Sequence, residues 1–241
     1  MLPLAQMNRQ NGVEHGNSVE IAFHHVRDLI VRGRLAPGSW IIESELAQKL
    51  SMSRTPIRGA LQGLQREGYV IEHKAKLKSR MMVAPLTHED AREIYAIVGR
   101  VEGLAGRQTA SLPRAERDKI VNQISEINSE LHEIAETREL AGRSIFDLDL
   151  RFHRTVVESG AGPRLLLLHD AVSPQTERYL RIYANNIMDQ LHVVASEHDH
   201  IISAIRNGDI EDAEDAMIAN WINGADRMVR RIATQGERGI W

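Results

Sequence analysis

The sequence predicts a mainly α-helical protein, with three short helices and a small β-hairpin first and six antiparallel helices after them. Apolar residues recur at helical spacing along almost the whole chain after Pro85. Strand-like stretches are confined to residues 69–83. No apolar run approaches the roughly 20 residues that cross a bilayer, so we expect no membrane association. The expected organisation is a flexible leader over 1–17, a first domain over 18–85 and a second over 86–236.

The first domain contains every predicted strand. Its predicted elements are helices over 19–32, 43–50 and 54–67 and strands at 69–71 and 81–83. Ser53 is a plausible N-cap of the third helix. Pro56 falls within the first turn, where its missing N–H does little harm. This order of elements is that of a winged helix-turn-helix, which predicts DNA binding.

The second domain reads as helix throughout. The predicted helices cover 88–110, 113–136, 144–159, 163–185, 187–207 and 209–234. Thr87, with Asp90 three residues later, resembles a helix start. Short Gly- and Pro-containing links separate the helices, which predicts an all-α six-helix antiparallel bundle.

Charge is distributed unevenly between the two domains. Residues 1–85 hold 12 Lys+Arg against 7 Asp+Glu, a balance of +5, whereas residues 86–241 hold 18 against 26, a balance of −8. A basic first domain and an acidic second domain indicate that only the first domain binds a polyanion. The chain has no cysteine, which excludes disulfides and thiolate chemistry and is compatible with the cytoplasmic location that we expect.

The third helix of the first domain carries the candidate base-reading residues. Arg54 and Arg58 lie one turn apart, so both can face the major groove, where arginine binds guanine bidentately. The hydroxyls of Ser53 and Thr55 suit phosphate oxygens beside the helix N-terminus. Basic residues of the hairpin supply further phosphate or minor-groove contacts: Lys76, Lys78 and Arg80. The alternative is a helical scaffold whose exposed arginines only solvate the surface.

With these motifs the sequence resembles the GntR family of bacterial regulators over about residues 19–86. The matching motifs are Gly33-x-Leu35-x-Pro37-Gly38, Glu45-Leu46-Ala47, Ser53-Arg54-Thr55-Pro56-Ile57-Arg58-x-Ala60-Leu61 and Leu64-x-x-Glu67-Gly68. The family wing usually carries a glycine at its tip, and we place Arg80 there. The resemblance implies a homodimer on a pseudo-palindromic operator in double-stranded DNA, with repression relieved by a small carboxylate metabolite.

The second domain is similar to the FCD effector domain of the FadR-type subgroup. The similarity rests on Asp149-Leu-Arg-Phe-His153 and on Glu197-His198-x-x-Ile201. It implies a divalent metal held by one Asp and three His, with Asn220 where the third His is expected. Carboxylate and imidazole ligands suit zinc, nickel or manganese.

Two other interpretations of Asp149, His153 and His198 stay open. They are a buried hydrogen-bonded cluster without metal and the metal site of an enzyme, although no adjacent general base or nucleophile motif is visible. For the effector itself, the candidate residues are Tyr95, Arg100 and Asn220.

Overall fold

The computed structural model describes residues 4–74, 79–141, 144–183 and 187–239. The chain divides into two compact units. The first comprises the residues up to Leu86 together with the segment from Glu237, and the second runs from Thr87 to Gly236. Among the described residues, no helix is long and apolar enough to cross a membrane.

The described residues of the first unit form three helices and a two-stranded sheet. They are α1 (Leu4–Val31), α2 (Glu43–Lys49), α3 (Arg54–Arg66), β1 (Val70–Lys74) and β2 (Ser79–Val83). Its core is formed by the apolar faces of these elements, with Val26, Ile57, Leu61 and Leu64 almost fully buried. Three helices followed by a hairpin is the predicted order, and the prediction of a winged helix-turn-helix is confirmed.

Helix α1 begins much earlier than its predicted start at residue 19. It includes residues 4–17, where a leader without regular structure was expected. No proline interrupts the chain from Leu4 to Val31. Once the buried part of a helix has formed, each further residue adds one backbone hydrogen bond without repeating the cost of nucleation.

The wing is an antiparallel pair in which Val70 lies opposite Val83 and Lys74 opposite Ser79. Arg80 lies opposite His73 inside this ladder, so its expected position at the wing tip is wrong. The last pair of the ladder is Lys74–Ser79. Lys76 and Lys78, also expected to contact DNA, lie outside the described residues.

The segment after Gly236 pairs with the end of the wing. Leu86 and Arg238 exchange two backbone hydrogen bonds, of 2.9 Å from Leu86 N and 3.1 Å from Arg238 N. Gly38 and Gly239 are also in close contact, because a Cβ on Gly38 would collide with the Gly239 backbone. We call residues 237–239 the tail. Nothing in the sequence predicted this pairing.

The second unit is all-helical in its described part. Its helices are α4 (His88–Ala110), α5 (Arg114–Thr137), α6 (Ile145–Gly160), α7 (Pro163–Tyr183), α8 (Leu191–Asn207) and α9 (Ile210–Gln235). The predicted bundle is confirmed. The predicted start at Thr87 is also correct, since its hydroxyl accepts the Asp90 N–H at 3.1 Å. One helix starts later than predicted, because residues 187–190 form a 3₁₀ turn before α8.

Three glycines allow α4 and α9 to pack closely. A Cβ on Gly99 would lie 2.8 Å from Trp221 Cβ, one on Gly103 2.8 Å from Ile218 Cγ1, and one on Gly106 2.9 Å from Met217 Cγ. Their spacing of four and three residues places them on one face of α4. This glycine face fixes the position of α9 against α4.

Candidate functional site

Helix α3 has one buried face and one exposed face. Its buried residues are Pro56, Ile57, Ala60, Leu61 and Leu64. Ser53, Arg54, Thr55 and Arg58, all expected to contact DNA, are exposed. Ser53 occupies the N-cap position, but its side chain makes no capping hydrogen bond. The first N–H groups of the helix therefore lack an internal acceptor, which is the arrangement that binds phosphate oxygens.

Arg58 is held by an acidic partner that the sequence did not reveal. Its Nη2 donates to Glu43 Oε2 at 3.0 Å, and its Nε lies 3.3 Å from both Glu43 oxygens. The hydrogen bond to Glu43 and the charge of that carboxylate raise the pKa of Arg58. Glu43 begins α2, so this pair joins the two helices of the helix-turn-helix. Its fork geometry is the one that arginine uses on guanine.

Two more groups extend this surface. Gln62 is exposed and lies one turn beyond Arg58, so Arg54, Arg58 and Gln62 follow one line along α3. On the wing, the Arg80 guanidinium lies 6.0 Å from the Trp40 ring centroid, a cation–π contact. A sequence motif could not distinguish Gln62 from the other polar residues of α3.

In the helical unit, the three predicted metal ligands lie together. One candidate ligand atom each from Asp149, His153 and His198 lies within 4.8 Å of the others. His198 is fully buried and stacks on Phe152, with ring centroids 3.8 Å apart and planes 3° from parallel. Its Nε2 lies 3.5 Å from Asp149 Oδ1 and has no hydrogen-bond partner among the described residues.

A buried carboxylate orients His153. Glu102, fully buried on α4, accepts from His153 Nδ1 at 2.6 Å, from His169 Nε2 at 2.9 Å and from Trp221 Nε1 at 2.7 Å. Burial opposes the charge of Glu102, but His153 and then His169 outweigh it and hold the pKa of Glu102 below its usual range. Burial also opposes protonation of His153, whereas Glu102 raises the pKa of His153. No sequence motif pointed to Glu102, because it lies 51 positions from His153.

The hydrogen bonds of the two imidazoles leave matching nitrogens for a cation. His153 uses Nδ1 on Glu102, and His198 uses Nδ1 on Asn128 Oδ1 at 3.2 Å. Each ring therefore keeps Nε2 as its second ligand atom. Burial, and then the charge of His153, lower the pKa of His198 well below its usual value, so that ring is neutral. Metal-binding histidines are commonly fixed in this way, by an acceptor on the nitrogen that faces away from the metal. The trio therefore fits a divalent cation.

Asn220 borders the same cavity but is tied to another group. Its amide nitrogen donates to Glu197 Oε2 at 2.9 Å. Because the amide nitrogen donates to Glu197, the carbonyl oxygen is the atom that would meet a ligand or a hard cation. Arg227 also binds Glu197, through two hydrogen bonds of 2.7 and 2.9 Å.

A cleft with about 500 Å³ of empty space, its open mouth included, joins these groups. It is lined by Tyr95, Asp149, His153, Leu180, Val194, Asn220, Trp221, Gly224, Arg227, Met228 and Arg231. Of the three predicted effector residues, Tyr95 and Asn220 line the cleft and Arg100 does not. Arg100 is exposed, because five residues after Tyr95 the helix has turned to another face. Sequence reasoning missed Arg227 and Arg231.

Comparisons with known proteins agree with both units. Residues 19–76 match the family described as "Bacterial regulatory proteins, gntR family", and residues 93–221 match "FCD domain". The probable D-xylose utilization operon transcriptional repressor of Paenarthrobacter nicotinovorans is 30% identical over 80% of this chain and 82% of its own length. The gluconate operon transcriptional repressor of Bacillus licheniformis is 26% identical over 76% of this chain and 74% of its own.

A solved structure, E. coli McbR/YncC, shares the fold. Its TM-score is 0.65 at 17% identity, covering 89% of this chain and 98% of that one. A winged helix-turn-helix followed by a helical effector domain defines a DNA-binding transcription regulator, and the relatives are regulators rather than enzymes. The chain belongs to the GntR family, in the FadR-type group with an FCD domain.

Proposed function

We propose that this regulator is a repressor that reads its operator through α3 and releases it when a small carboxylate binds in the cleft. The exposed line of Arg54, Arg58 and Gln62 is the observation that carries the DNA part of the proposal. The relatives named as repressors of the xylose and gluconate operons favour repression over activation.

The residues of this surface have separate roles in the proposal. Arg54 and Arg58 bind guanine edges, and Gln62 is placed to bind adenine, because a side-chain amide matches its N6 and N7. Ser53 and Thr55 hold phosphate oxygens at the N-terminus of α3. Arg80 binds the backbone or the minor groove from the wing, together with Lys76 and Lys78.

Fluorescence anisotropy with a DNA duplex selected from a random library tests whether α3 recognises the operator sequence. Arg58→Ala should lose about 10- to 100-fold in affinity for the selected duplex, the range of one bidentate base contact. Arg114→Ala is the matched control, because that arginine is exposed and lies on α5 in the helical unit. An Arg58→Ala protein with unchanged sequence preference at matched salt contradicts the proposal.

For the cleft, we propose that Asp149, His153 and His198 hold a divalent cation such as zinc, nickel or manganese. The unpartnered His198 Nε2 and the two fixed Nδ1 atoms support this. The cation would leave coordination positions open to a carboxylate, with Asn220 beside them in place of a third histidine.

Elemental analysis of untagged protein, dialysed after exposure to each metal in turn, tests the site. We expect about one bound ion per chain, lost in His198→Gln. The matched control is His200→Gln, since His200 lies on the same helix but is exposed and bound to Asp212. Metal-free wild-type protein, or equal metal in both variants, refutes the cation.

We further propose that the regulator is a homodimer, since a pseudo-palindromic operator requires two copies of α3. Leu167 and Leu168 of α7 are 72% and 58% exposed, and adjacent exposed leucines suit burial against a second copy. Light scattering should show a dimer, and Leu167→Asp with Leu168→Asp should shift it to monomer. A monomeric wild-type protein contradicts the assignment.

A further inference from the structure

The cleft contains a positive charge that has no hydrogen-bonded anion among the described residues. Arg231 is half-buried and lines the cleft, and the described residues offer its guanidinium no hydrogen bond or ion pair. Burial lowers the pKa of Arg231, as expected for a cation removed from water; Tyr95 opposes this shift, and the neighbouring Arg227 adds to it. A partly buried guanidinium without a carboxylate is unfavourable unless a ligand supplies one.

The second feature is the Tyr95 hydroxyl. Tyr95 is 2% exposed and lines the same cleft, yet its hydroxyl has no partner among the described residues. Its ring is held by an edge contact with Trp221, at 5.3 Å between centroids, and another with Tyr179, at 6.4 Å. A fixed, buried hydroxyl without a partner costs free energy that a ligand oxygen recovers.

Arg227, the other arginine of the cleft, differs from Arg231 because it is paired with a carboxylate. Glu197 takes two of its hydrogen bonds and also accepts from Asn220 and Asn223. Arg227 is therefore already neutralised within the protein. Of the two arginines in the cleft, Arg231 is the one that retains a charge for a ligand.

The position along α9 separates the backbone of Arg231 from the metal trio. Asn220 lies beside the trio and Arg231 eleven residues later, roughly 16 Å along the helix axis at 1.5 Å per residue. Arginine side chains on a helix lean back toward its N-terminus, which shortens the gap between the two groups. A ligand that reaches both Arg231 and the trio needs one acidic group for each.

We propose that Arg231 and Tyr95 form a second carboxylate subsite, and that the effector is a dicarboxylate whose other acid group faces Asp149, His153 and His198. This rests on the proposed function, because it refines the small-carboxylate effector. In the subsite, Arg231 donates two parallel hydrogen bonds to the second carboxylate and the Tyr95 hydroxyl donates a third. A monoacid leaves both groups unpartnered.

Calorimetry on the full-length, metal-loaded protein tests this with two probe series. One is malonate, succinate, glutarate and adipate, and the other is the monoacids of the same chain lengths. We expect at least one diacid to bind about 10- to 100-fold more tightly than its monoacid, the range of one charge-assisted hydrogen bond. Arg231→Gln and Tyr95→Phe should each reduce that preference.

Arg230→Gln is the matched control, because Arg230 is the neighbouring residue on α9 and is exposed outside the cleft. Arg231→Lys should retain part of the preference, which separates loss of charge from loss of fold, and thermal melts check all variants. Equal binding of diacids and monoacids, or an Arg231→Gln protein that keeps the preference, overturns the subsite and leaves the carboxylate effector standing. Binding of neither series overturns both proposals.

Discussion

At the level of single residues, the ion pair between Arg58 and Glu43 sets the state from which α3 approaches DNA. The pair orients the guanidinium before any base is met, and it places a carboxylate close to where phosphates would lie. Removing the negative charge should therefore act in two directions: general attraction to DNA should increase, and the orientation of Arg58 should be lost.

The first prediction concerns Glu43→Gln. We expect weaker discrimination between the selected duplex and a random one, because non-specific affinity rises while base contact by Arg58 becomes less ordered. Thermal stability should not change measurably, since exposed ion pairs contribute little. Anisotropy titrations with both duplexes at matched salt measure the ratio of the two affinities. Glu45→Gln, an exposed change on the same helix, should leave it unaltered; equal shifts in the two variants would count against the role of Glu43.

The second prediction concerns Glu102. Replacing it by Leu leaves buried donors on His153, His169 and Trp221 without an acceptor, so the free energy of unfolding should fall by about 2–5 kcal/mol. Urea denaturation of metal-free protein measures this. Glu214→Leu is the control, because its ion pair with Arg107 is partly exposed and should cost about 1 kcal/mol or less. Similar losses in both variants would show that the Glu102 network contributes no more than a surface pair.

The candidate site could be predicted from sequence where its residues follow one helix, and not where they meet across helices. Asp149 and His153 are four residues apart, so helical geometry alone brings them together. Glu102 reaches His153 only because α4 packs beside α6, and Arg231 reaches the cleft only because of the position of α9. A pattern within one helix carries no information about which helix will face it.

At the level of elements, the glycine face of α4 determines how closely α9 approaches. Trp221 reaches Glu102 from α9 because Gly99, Gly103 and Gly106 leave room for Trp221, Ile218 and Met217. The sequence shows glycines in a helix, which are unfavourable by propensity, and close packing is the compensation.

The third prediction tests that packing with Gly103→Leu. The new side chain would collide with Ile218, whose Cγ1 lies 2.8 Å from the Cβ position, and overpacking of this kind should destabilise the protein by about 1–3 kcal/mol. Chemical denaturation provides the measurement. Gly162→Ala is the control, since a Cβ there meets nothing within 4 Å. Unchanged stability in Gly103→Leu would mean that α9 can shift at little cost.

At the level of the whole molecule, the fold class and nearly all helices were predictable because amphipathic periodicity extends along the chain. The two misplaced features have local causes. Helix α1 extends into a polar N-terminal segment, and that segment has no apolar periodicity from which a helix could be predicted. The register of a short hairpin depends on how its two strands pair, which the sequence does not show. For this reason Arg80 was expected at the wing tip although it lies within β2. The tail was not predictable, because backbone pairing leaves no side-chain signature.

The fourth prediction concerns the contact between the tail and the turn at Gly38. Gly38 has φ +73° and Gly236 has φ +81°, so alanine should strain both positions by about 1–2 kcal/mol. At Gly38 the new Cβ also meets the Gly239 backbone, whereas at Gly236 it meets nothing within 4 Å. Gly38→Ala should therefore destabilise the protein more than Gly236→Ala in thermal unfolding. Equal losses of stability in the two variants would mean that the contact between the tail and Gly38 does not stabilise the protein.

The same tail bears on how chimeric regulators should be built. Exchanging effector domains between relatives by a single junction after Leu86 would give the winged unit a foreign strand opposite Leu86 and foreign backbone against Gly38. A graft that returns residues 237–239 to their own winged unit, with a second junction at Gly236, keeps both hydrogen bonds to Leu86. Biosensors assembled from this family by the two-junction route should therefore express as folded protein more often than those assembled by one.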